Sequence, residues 1–576
     1  MKSLKEFKPL WSFIKEDKTK IIIAGIIIFI TEVVNTLGGY LNGQAVESIT
    51  KLELKRALLF LSIYLINNIV IDAWLYMKGY SMLQKVENKM SRKLSFNTYK
   101  KSLNLPAYAF EKMSSGEIIN RITNDADTLS FVIGRLIQTA TSIIGAAVIL
   151  VYVFINSYII GIEIVLFMLT LFFVIKKYNP ILIKLHKERK KEQDRFSSLV
   201  NESIRGIREI KTLGVKNNLI NDVLEIIKTL FNKSVSETDA YREYKTIVKI
   251  IRSLLEFSVY ATCVFLLYKS HITLAYFVAM TYYVYKFMYL IDEVNDLTEM
   301  YHKLIVSITR VNEILENRLY KDDEFGDKKI KNIFGKIEFS KVKFHYPNER
   351  LLLNNFNLSL EPNKKIAVVG ASGQGKSTLF NLITRIFDPI QGNITIDGID
   401  LKSLDEDELR KQVSIIRQEP FIFNRTILEN FKLINKKIKL KEVREFCKMA
   451  YLDDYIMSLP KKYNTVLGEG GVNLSGGQKQ RLSIARTLAK NSKIVLFDEA
   501  TSALDNNSQE FIKKSIDSLV KNHTVVIVAH RLSTIIDADI IYVVNGGKVI
   551  GSGTHTELLD NNPTYRNLYE TESLNS

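Results

Sequence analysis

The sequence predicts a two-part membrane protein: an all-α domain of six membrane-spanning helices with long helical extensions, then an α/β domain built around a phosphate-binding loop. Three observations predict it. Apolar stretches of spanning length fill the first half, and lysine and arginine crowd the segments between alternate stretches. The second half carries Gly370-Ala371-Ser372-Gly373-Gln374-Gly375-Lys376-Ser377 between a strand pattern and a helix pattern.

The apolar stretches are Ile21–Val46, Ala57–Met77, Phe131–Ile155, Tyr158–Val174, Ile247–Tyr268 and Ile272–Ile291, each near or above the ~20 residues that cross a bilayer as a helix. A soluble bundle of long core helices is the competing architecture. It fails at Ile21 to Ile30, which is apolar all round and has no face to offer water. No signal-peptide cleavage site follows this first run, so it is expected to remain as a span. Lys2, Lys5, Lys8, Lys15, Lys18 and Lys20 precede it, and basic residues crowd Lys78 to Asp127 and Lys176 to Lys245. The turns Asn156-Ser157 and Lys269-Ser270-His271 are short and nearly uncharged, so both termini and the α/β domain are expected in the cytoplasm, at the cytoplasmic membrane. The same bias accounts for the net charge of +17 and leaves no role for nucleic acid as a partner. Cys263 and Cys447 fall in different halves, which excludes a disulfide framework or a metal site; they read as buried thiols.

From Tyr80 to Leu129 there is room for two helical arms of about 24 residues, each projecting roughly 35 Å at 1.5 Å per residue, with a break near Leu105-Pro106. The segment between the fourth and fifth spans does the same. Asn317 to Asp323 is polar and charged and reads as a linker. The expected division is a membrane domain at 1–316, a linker at 317–336 and the α/β domain at 337–576.

Lys365 to Val369 reads as a buried strand before the glycine loop, and Ser377 to Phe387 as a helix after it. Gly370, Gly373 and Gly375 let backbone N–H groups curl around phosphates, with Ser372 in the same loop and Thr378 at the helix start. Lys376 neutralises phosphate charge, and the Ser377 hydroxyl suits a Mg²⁺ position, so ATP and Mg²⁺ are the expected cofactors. Ile494 to Phe497 is an unbroken apolar run ending in Asp498 and Glu499, the way a strand buried on both faces delivers carboxylates to a nucleotide. Asp498 is expected to hold the metal. Glu499 is the candidate general base for water attacking the γ-phosphate.

Leu474-Ser475-Gly476-Gly477-Gln478, with the elements around it, resembles the signature of the ATP-binding cassette (ABC) family. Ser475, Gly476 and Gly477 open a predicted helix, Gln478 to Lys490, whose N–H groups and dipole make an anion site. The resemblance assigns that site to the ATP of the opposite subunit. It further implies that Gln418 senses Mg²⁺ and the attacking water, that Ser502 to Asp505 is the D-loop, and that His530 is the switch histidine at the γ-phosphate. Tyr346 looks like the aromatic that stacks on adenine, Gly468 to Gly471 like the X-loop, and Gly553 to Leu559 like the family's closing pattern. Leu105 to Phe110 with Ser115 to Asp125, and Glu202 to Gly214, are similar to the first and second coupling loops of ABC exporters.

The implied protein is a half-size ABC exporter, an all-α exporter domain fused to one nucleotide-binding domain, whose composite sites require a dimer. Because Glu499, His530 and Ser475-Gly476-Gly477 all keep the family's residues, a homodimer is expected, with a heterodimer of half-transporters as the alternative. The expected cargo is an amphipathic or hydrophobic drug, peptide or lipid. Alternatives are a flippase for lipid or lipid-linked sugar and an importer with the exporter fold. With a span so near the start, no leader-processing peptidase domain is expected. Glu32, Asp72, Glu163, Glu256 and Lys286 are ionisable groups within or beside spans and so candidates for the cargo cavity. Tyr282, Tyr283, Tyr285, Phe287 and Tyr289 either offer faces to amphipathic or cationic compounds or pack between helices.

Overall fold

Hydrocarbon leaves a spanning backbone no outside partners, so every span must close its own hydrogen bonds as a helix. Six helices long and apolar enough to cross a membrane occur among the described residues, one for each expected stretch. They are α1 (Lys18–Thr50), α2 (Leu54–Ser102), α3 (Ser115–Asn156), α4 (Tyr158–Arg205), α5 (Lys216–Tyr268) and α6 (Leu274–Leu315). The computed structural model describes residues 8–113, 115–317, 320–347, 349–468, 471–498, 506–520, 522–529 and 535–573. It divides into two compact units, residues 1–103 with 113–320, and residues 104–112 with 321–576.

In the first unit the helices run well past their apolar stretches, because helical hydrogen bonding does not stop where hydrocarbon does. The extensions of α4 and α5 are tied by Lys233 to Glu188 (2.7 Å), by Tyr178 to Glu243 (2.7 Å), and by His186 and Arg189 to Glu237. Nearer the apolar end, Val153, Ile160, Leu255, Val259 and Phe287 share one buried cluster. α1 and α6 meet closely along small residues: a Cβ on Gly43 would sit 2.1 Å from the Ala275 carbonyl oxygen, and the Tyr283 ring lies against Gly39. Glu47 of α1 accepts the Ala275 backbone N–H at 3.0 Å, fastening the start of α6. Within α2, Asn67–Tyr76 is wound as a π-helix, which widens the turn that carries Asn67 and Asp72.

The second unit is α/β. An antiparallel sheet holds β1 (Ile337–Phe344), β2 (Leu353–Leu360), β4 (Gln391–Ile396) and β5 (Ile399–Asp400), in the order β2-β1-β4-β5. A six-stranded sheet adds β3 (Lys365–Val369), β6 (Val413–Ile416), β7 (Ile494–Asp498), β8 (Thr524–Val528), β9 (Ile540–Asn545) and β10 (Lys548–Gly553) in the order β10-β9-β3-β8-β7-β6. From β9 to β6 the pairing is parallel. Alternation splits each central strand between two cores. Ile366, Val368, Ile494, Leu496, Val526 and Val528 enter the core shared with the antiparallel sheet, while Ala367, Val369, Val495, Phe497, Val525 and Ile527 enter the core under the helices. That is why these strands read as unbroken apolar runs.

The helix after the glycine loop is shorter than expected. α7 (Lys376–Ile383) stops before Phe387, because Arg385 takes a left-handed φ of 54° and the Ile386 N–H turns back to Asn381. The signature opens α8 (Gly476–Lys490). The expected break at Leu105-Pro106 is present: a short helix, Ala107–Lys112, follows it and belongs with the α/β unit.

Gly43→Leu would force α1 from α6, so it should destabilise the protein by about 3 kcal/mol, the upper range for overpacking. Thermal unfolding of the detergent-solubilised chain checks this; an unchanged midpoint would deny the close seam.

Candidate nucleotide site

The phosphate loop stands between the carboxyl end of β3 and α7. Gly373 and Gly375 hold φ of 78° and 85°, which a side chain resists, and a Cβ on Gly370 would meet the Val544 carbonyl oxygen at 2.2 Å. Ser372 and Gly373 are exposed at the loop's crest, while Lys376 is only 5% exposed. Its ammonium group donates to the carbonyls of Gly370 (2.8 Å) and Ala371 (3.0 Å), so a buried positive charge is held against the loop. Gln374 accepts the Gly546 N–H at 2.7 Å and pins the loop to the β9–β10 turn.

Two sequence-distant candidates meet directly. Ser377 Oγ donates to Asp498 Oδ1 at 2.8 Å, joining the start of α7 to the end of β7. Tyr346 meets α7 as well: its hydroxyl lies 3.1 Å from Thr378 Oγ1 and accepts from Asn381 Nδ2 at 3.1 Å. The Tyr346 ring is set edge-on against Phe344 and Phe387, both at 5.0 Å between centroids. Phe387 in turn stacks on Tyr108 of the short helix at 6.4 Å. The aromatic candidate is thus held by packing that the motif alone does not reveal.

Gln418 is exposed, and its backbone carbonyl accepts from Gln480 Nε2 of α8 at 3.1 Å. Ser475 caps α8: its hydroxyl accepts the Gln478 N–H at 3.3 Å while Gln478 Oε1 accepts the Ser475 N–H at 2.9 Å. Ser475 and Gly476 are exposed and Gly477 is buried. The hydrogen bonds of Ser475 and of the Gln478 side chain stay within this turn rather than reaching the phosphate loop. Glu499, Asp505 with the rest of Ser502 to Asp505, His530, Glu469 and Gly470 lie outside the described residues.

Sequence reasoning missed a basic groove of about 410 Å³ lined by Arg410, Arg417, Arg486 and Lys490 among others. Burial, with the Arg410 charge adding to it, pushes the Lys490 ammonium down to about 8. Its basic residues are dispersed over three segments of chain, which leaves no local pattern to find.

Two family models match this chain. Residues 353–502 match the ABC transporter model and residues 21–290 the ABC transporter transmembrane region. The chain is 34% identical over 469 residues to the putative multidrug export ATP-binding/permease protein YgaD of Bacillus subtilis (strain 168), covering 80% of each. It is 29% identical to the ATP-dependent lipid A-core flippase of Haemophilus influenzae over 98% of this chain and 97% of the relative. A bacterial Atm1-family ABC exporter solved with ATP bound shares the fold at a TM-score of 0.84 and 23% identity, over 97% of this chain and 98% of that one.

Removing the edge-to-face support of Tyr346 should loosen it. Phe387→Ala is expected to weaken ATP binding up to about tenfold, the scale of one aromatic pair. Equilibrium titration with a fluorescent ATP analogue measures it, and an unchanged affinity would separate Tyr346 from the nucleotide.

Proposed function

We propose that this chain, which belongs to the ABC transporter family and is an ATP-hydrolysing, multi-pass membrane exporter, works as a homodimer moving an amphipathic or hydrophobic cargo by alternating access. The observation that carries the site assignment is the Ser377–Asp498 hydrogen bond beneath a loop holding a buried Lys376. One membrane unit with one ATP-binding domain is half of a transporter, and dimerisation follows from it. The boundaries we adopt are 1–316, 317–336 and 337–576, with both termini and the nucleotide-binding domain in the cytoplasm.

The loop amides with Lys376 bind the ATP phosphates, and Tyr346 stacks on adenine. Ser377 and Asp498 are adjacent oxygen donors, which suits a hard divalent cation that keeps water and phosphate oxygens as its other ligands. Ser377, Asp498 and Gln418 would hold Mg²⁺, which would supply charge neutralisation at the phosphates. Glu499 orients and deprotonates the attacking water, and His530 contacts the γ-phosphate. Ser475, Gly476, Gly477 and Gln478 present the α8 N-terminus to the ATP held by the partner subunit, with Asp505 beside that interface. ATP binding closes the two cytoplasmic domains, and the short helices near Tyr108 and Gly214 pass that closure to the spans. A lipid flippase is the second reading, favoured by end-to-end similarity to a protein named as one.

Glu499→Gln should keep ATP affinity and cut turnover by at least about 10²-fold. Lys376→Ala should instead weaken nucleotide binding itself, so equal affinity in the two variants would contradict this division of labour. Chelating divalent cations should stop hydrolysis and added Mg²⁺ restore it. The purified single chain should hydrolyse ATP, and Ser475→Arg should silence it by blocking phosphate approach in trans. A stable chain that stays inactive until another half-transporter is supplied would sink the homodimer.

A further inference from the structure

Phe325, in the stretch that reads as a linker, is half-buried and packs against the core shared by the two sheets of the α/β unit. Its ring lies under two guanidinium groups, with Arg385 Cζ at 4.3 Å and Arg410 Cζ at 5.4 Å from the ring centroid. The chain on either side is tied down. Arg385 Nη2 donates to the Glu324 carbonyl at 2.5 Å, the Gly326 N–H donates to the Leu404 carbonyl at 2.9 Å, and the Lys328 N–H donates to the Ser403 carbonyl at 3.0 Å. The Asp405 N–H returns a bond to the Lys328 carbonyl at 2.9 Å. A Cβ on Gly326 would sit 2.1 Å from the Ser403 carbonyl oxygen, so only glycine permits this approach. Residues 324–328 are therefore a strap laid onto the α/β unit.

Arg385 is where the strap meets the nucleotide site. Its φ of 54° is unfavourable for a residue with a side chain, so the bend that ends α7 must be held by its surroundings. Arg385 is 6% exposed, and its Nε and Nη2 donate to Asp388 at 3.0 and 3.2 Å. Its Nη1 has no hydrogen-bond partner among the described residues. A buried guanidinium with an unmet donor depends on whatever else offsets its charge, and here that includes the Phe325 ring face and the Glu324 carbonyl. Arg410, on the helix Glu406–Gln412, donates to the Thr384 carbonyl, so the second guanidinium over the ring holds the residue before the bend.

The bend aims the next aromatic residue. The Ile386 and Phe387 N–H groups turn back to the Asn381 carbonyl at 2.9 and 3.3 Å, and Asn381 Nδ2 donates to the Tyr346 hydroxyl at 3.1 Å. Phe387 then meets the Tyr346 ring edge-on at 5.0 Å. Each step from Phe325 to Tyr346 is thus a direct contact or a turn of backbone. The phosphate grip is held by other groups, Lys376 by the carbonyls of Gly370 and Ala371 and Ser377 by Asp498.

We propose that Phe325 is a positioning residue for nucleotide binding: the strap holds Arg385, the bend at Arg385 sets Phe387, and Phe387 sets the Tyr346 ring against adenine. This rests on the stacking of Tyr346 on adenine proposed above and adds the linker to that site. Phe325 acts on the grip of the base and not on that of the phosphates.

The test is equilibrium competition against a ribose-labelled fluorescent ATP analogue on the full detergent-solubilised chain, with Mg²⁺ withheld so that no turnover occurs. Phe325→Ala should weaken ATP binding about fivefold, the scale of one partly desolvated cation–π contact. Inorganic tripolyphosphate, which has no base to stack, should keep its wild-type affinity. Phe325→Leu, which keeps the apolar bulk but offers no ring face, should show the same selective loss, and Phe325→Trp should restore ATP affinity to within about twofold. In a Tyr346→Ala background, Phe325→Ala should cost nothing further, because the residue it acts through is gone. Equal losses for ATP and tripolyphosphate, an unchanged ATP affinity in both Phe325→Ala and Phe325→Leu, or losses that add in the double variant would each overturn the strap's role. If Tyr346→Ala alone binds ATP as wild type does, it is the stacking reading that falls, and the strap's role with it.

Discussion

Burial of β3, β8 and β7 on both faces governs the nucleotide site. Each strand has one side in the core against the antiparallel sheet and the other under the helices, so no strand can slip by a residue without exchanging its whole apolar set. Register is therefore fixed at the carboxyl ends, where β3 releases the glycine loop and β7 delivers Asp498. The 2.8 Å bond from Ser377 to Asp498 is a consequence of that register. At the opposite end of β3, Lys365 is buried and satisfied by Asp517 and Asp537, both at 2.8 Å. Burial opposes its charge, but the two carboxylates outweigh that and raise its pKa. The strand is thus pinned at both ends.

The membrane unit answers to a different constraint. Hydrocarbon offers polar side chains nothing, so their partners must come from neighbouring helices. Glu32 with Lys286, Asp72 with Asn35, Gln138 with Tyr76, and Glu163 with Ser258 all obey this across helix boundaries. Glu256 is exposed on α5. The aromatic run on α6 divides between the two uses foreseen for it: Tyr283 and Phe287 are buried among helices, whereas Tyr285 is exposed.

What the sequence made legible was whatever is written contiguously. The glycine loop, the capped signature helix and the apolar strands each fit inside a dozen or so residues whose local chemistry dictates their shape. The six spans were legible for the same reason, by length and composition alone. Their far ends were not, since Lys233, Glu188, Tyr178 and Glu243 support helix only once α4 and α5 lie side by side. Nor was the Tyr108, Phe387 and Tyr346 series, whose members come from separate parts of the chain and carry no motif between them. Glu293 escaped notice because a carboxylate at the end of an apolar stretch reads as a boundary residue. Its burial, at 4% exposed, is visible only once the helices are packed.

One polar pairing of the membrane unit also belongs to the helix seam. Lys286 ties α6 to α1 through Glu32, on the same two helices that meet at Gly43 and Ala275. Any shift of α1 against α6 therefore strains a pair of charges that hydrocarbon cannot solvate. In a low-dielectric surrounding that attraction is only weakly screened, so the ion pair and the close seam bear on the same rearrangement. A ligand shifts a conformational balance only by as much as its affinity differs between the two states. Because Glu32 and Lys286 are also seam groups, a ligand that contacted either of them would couple its affinity to the arrangement of α1 against α6, and by linkage would shift that arrangement by the same amount.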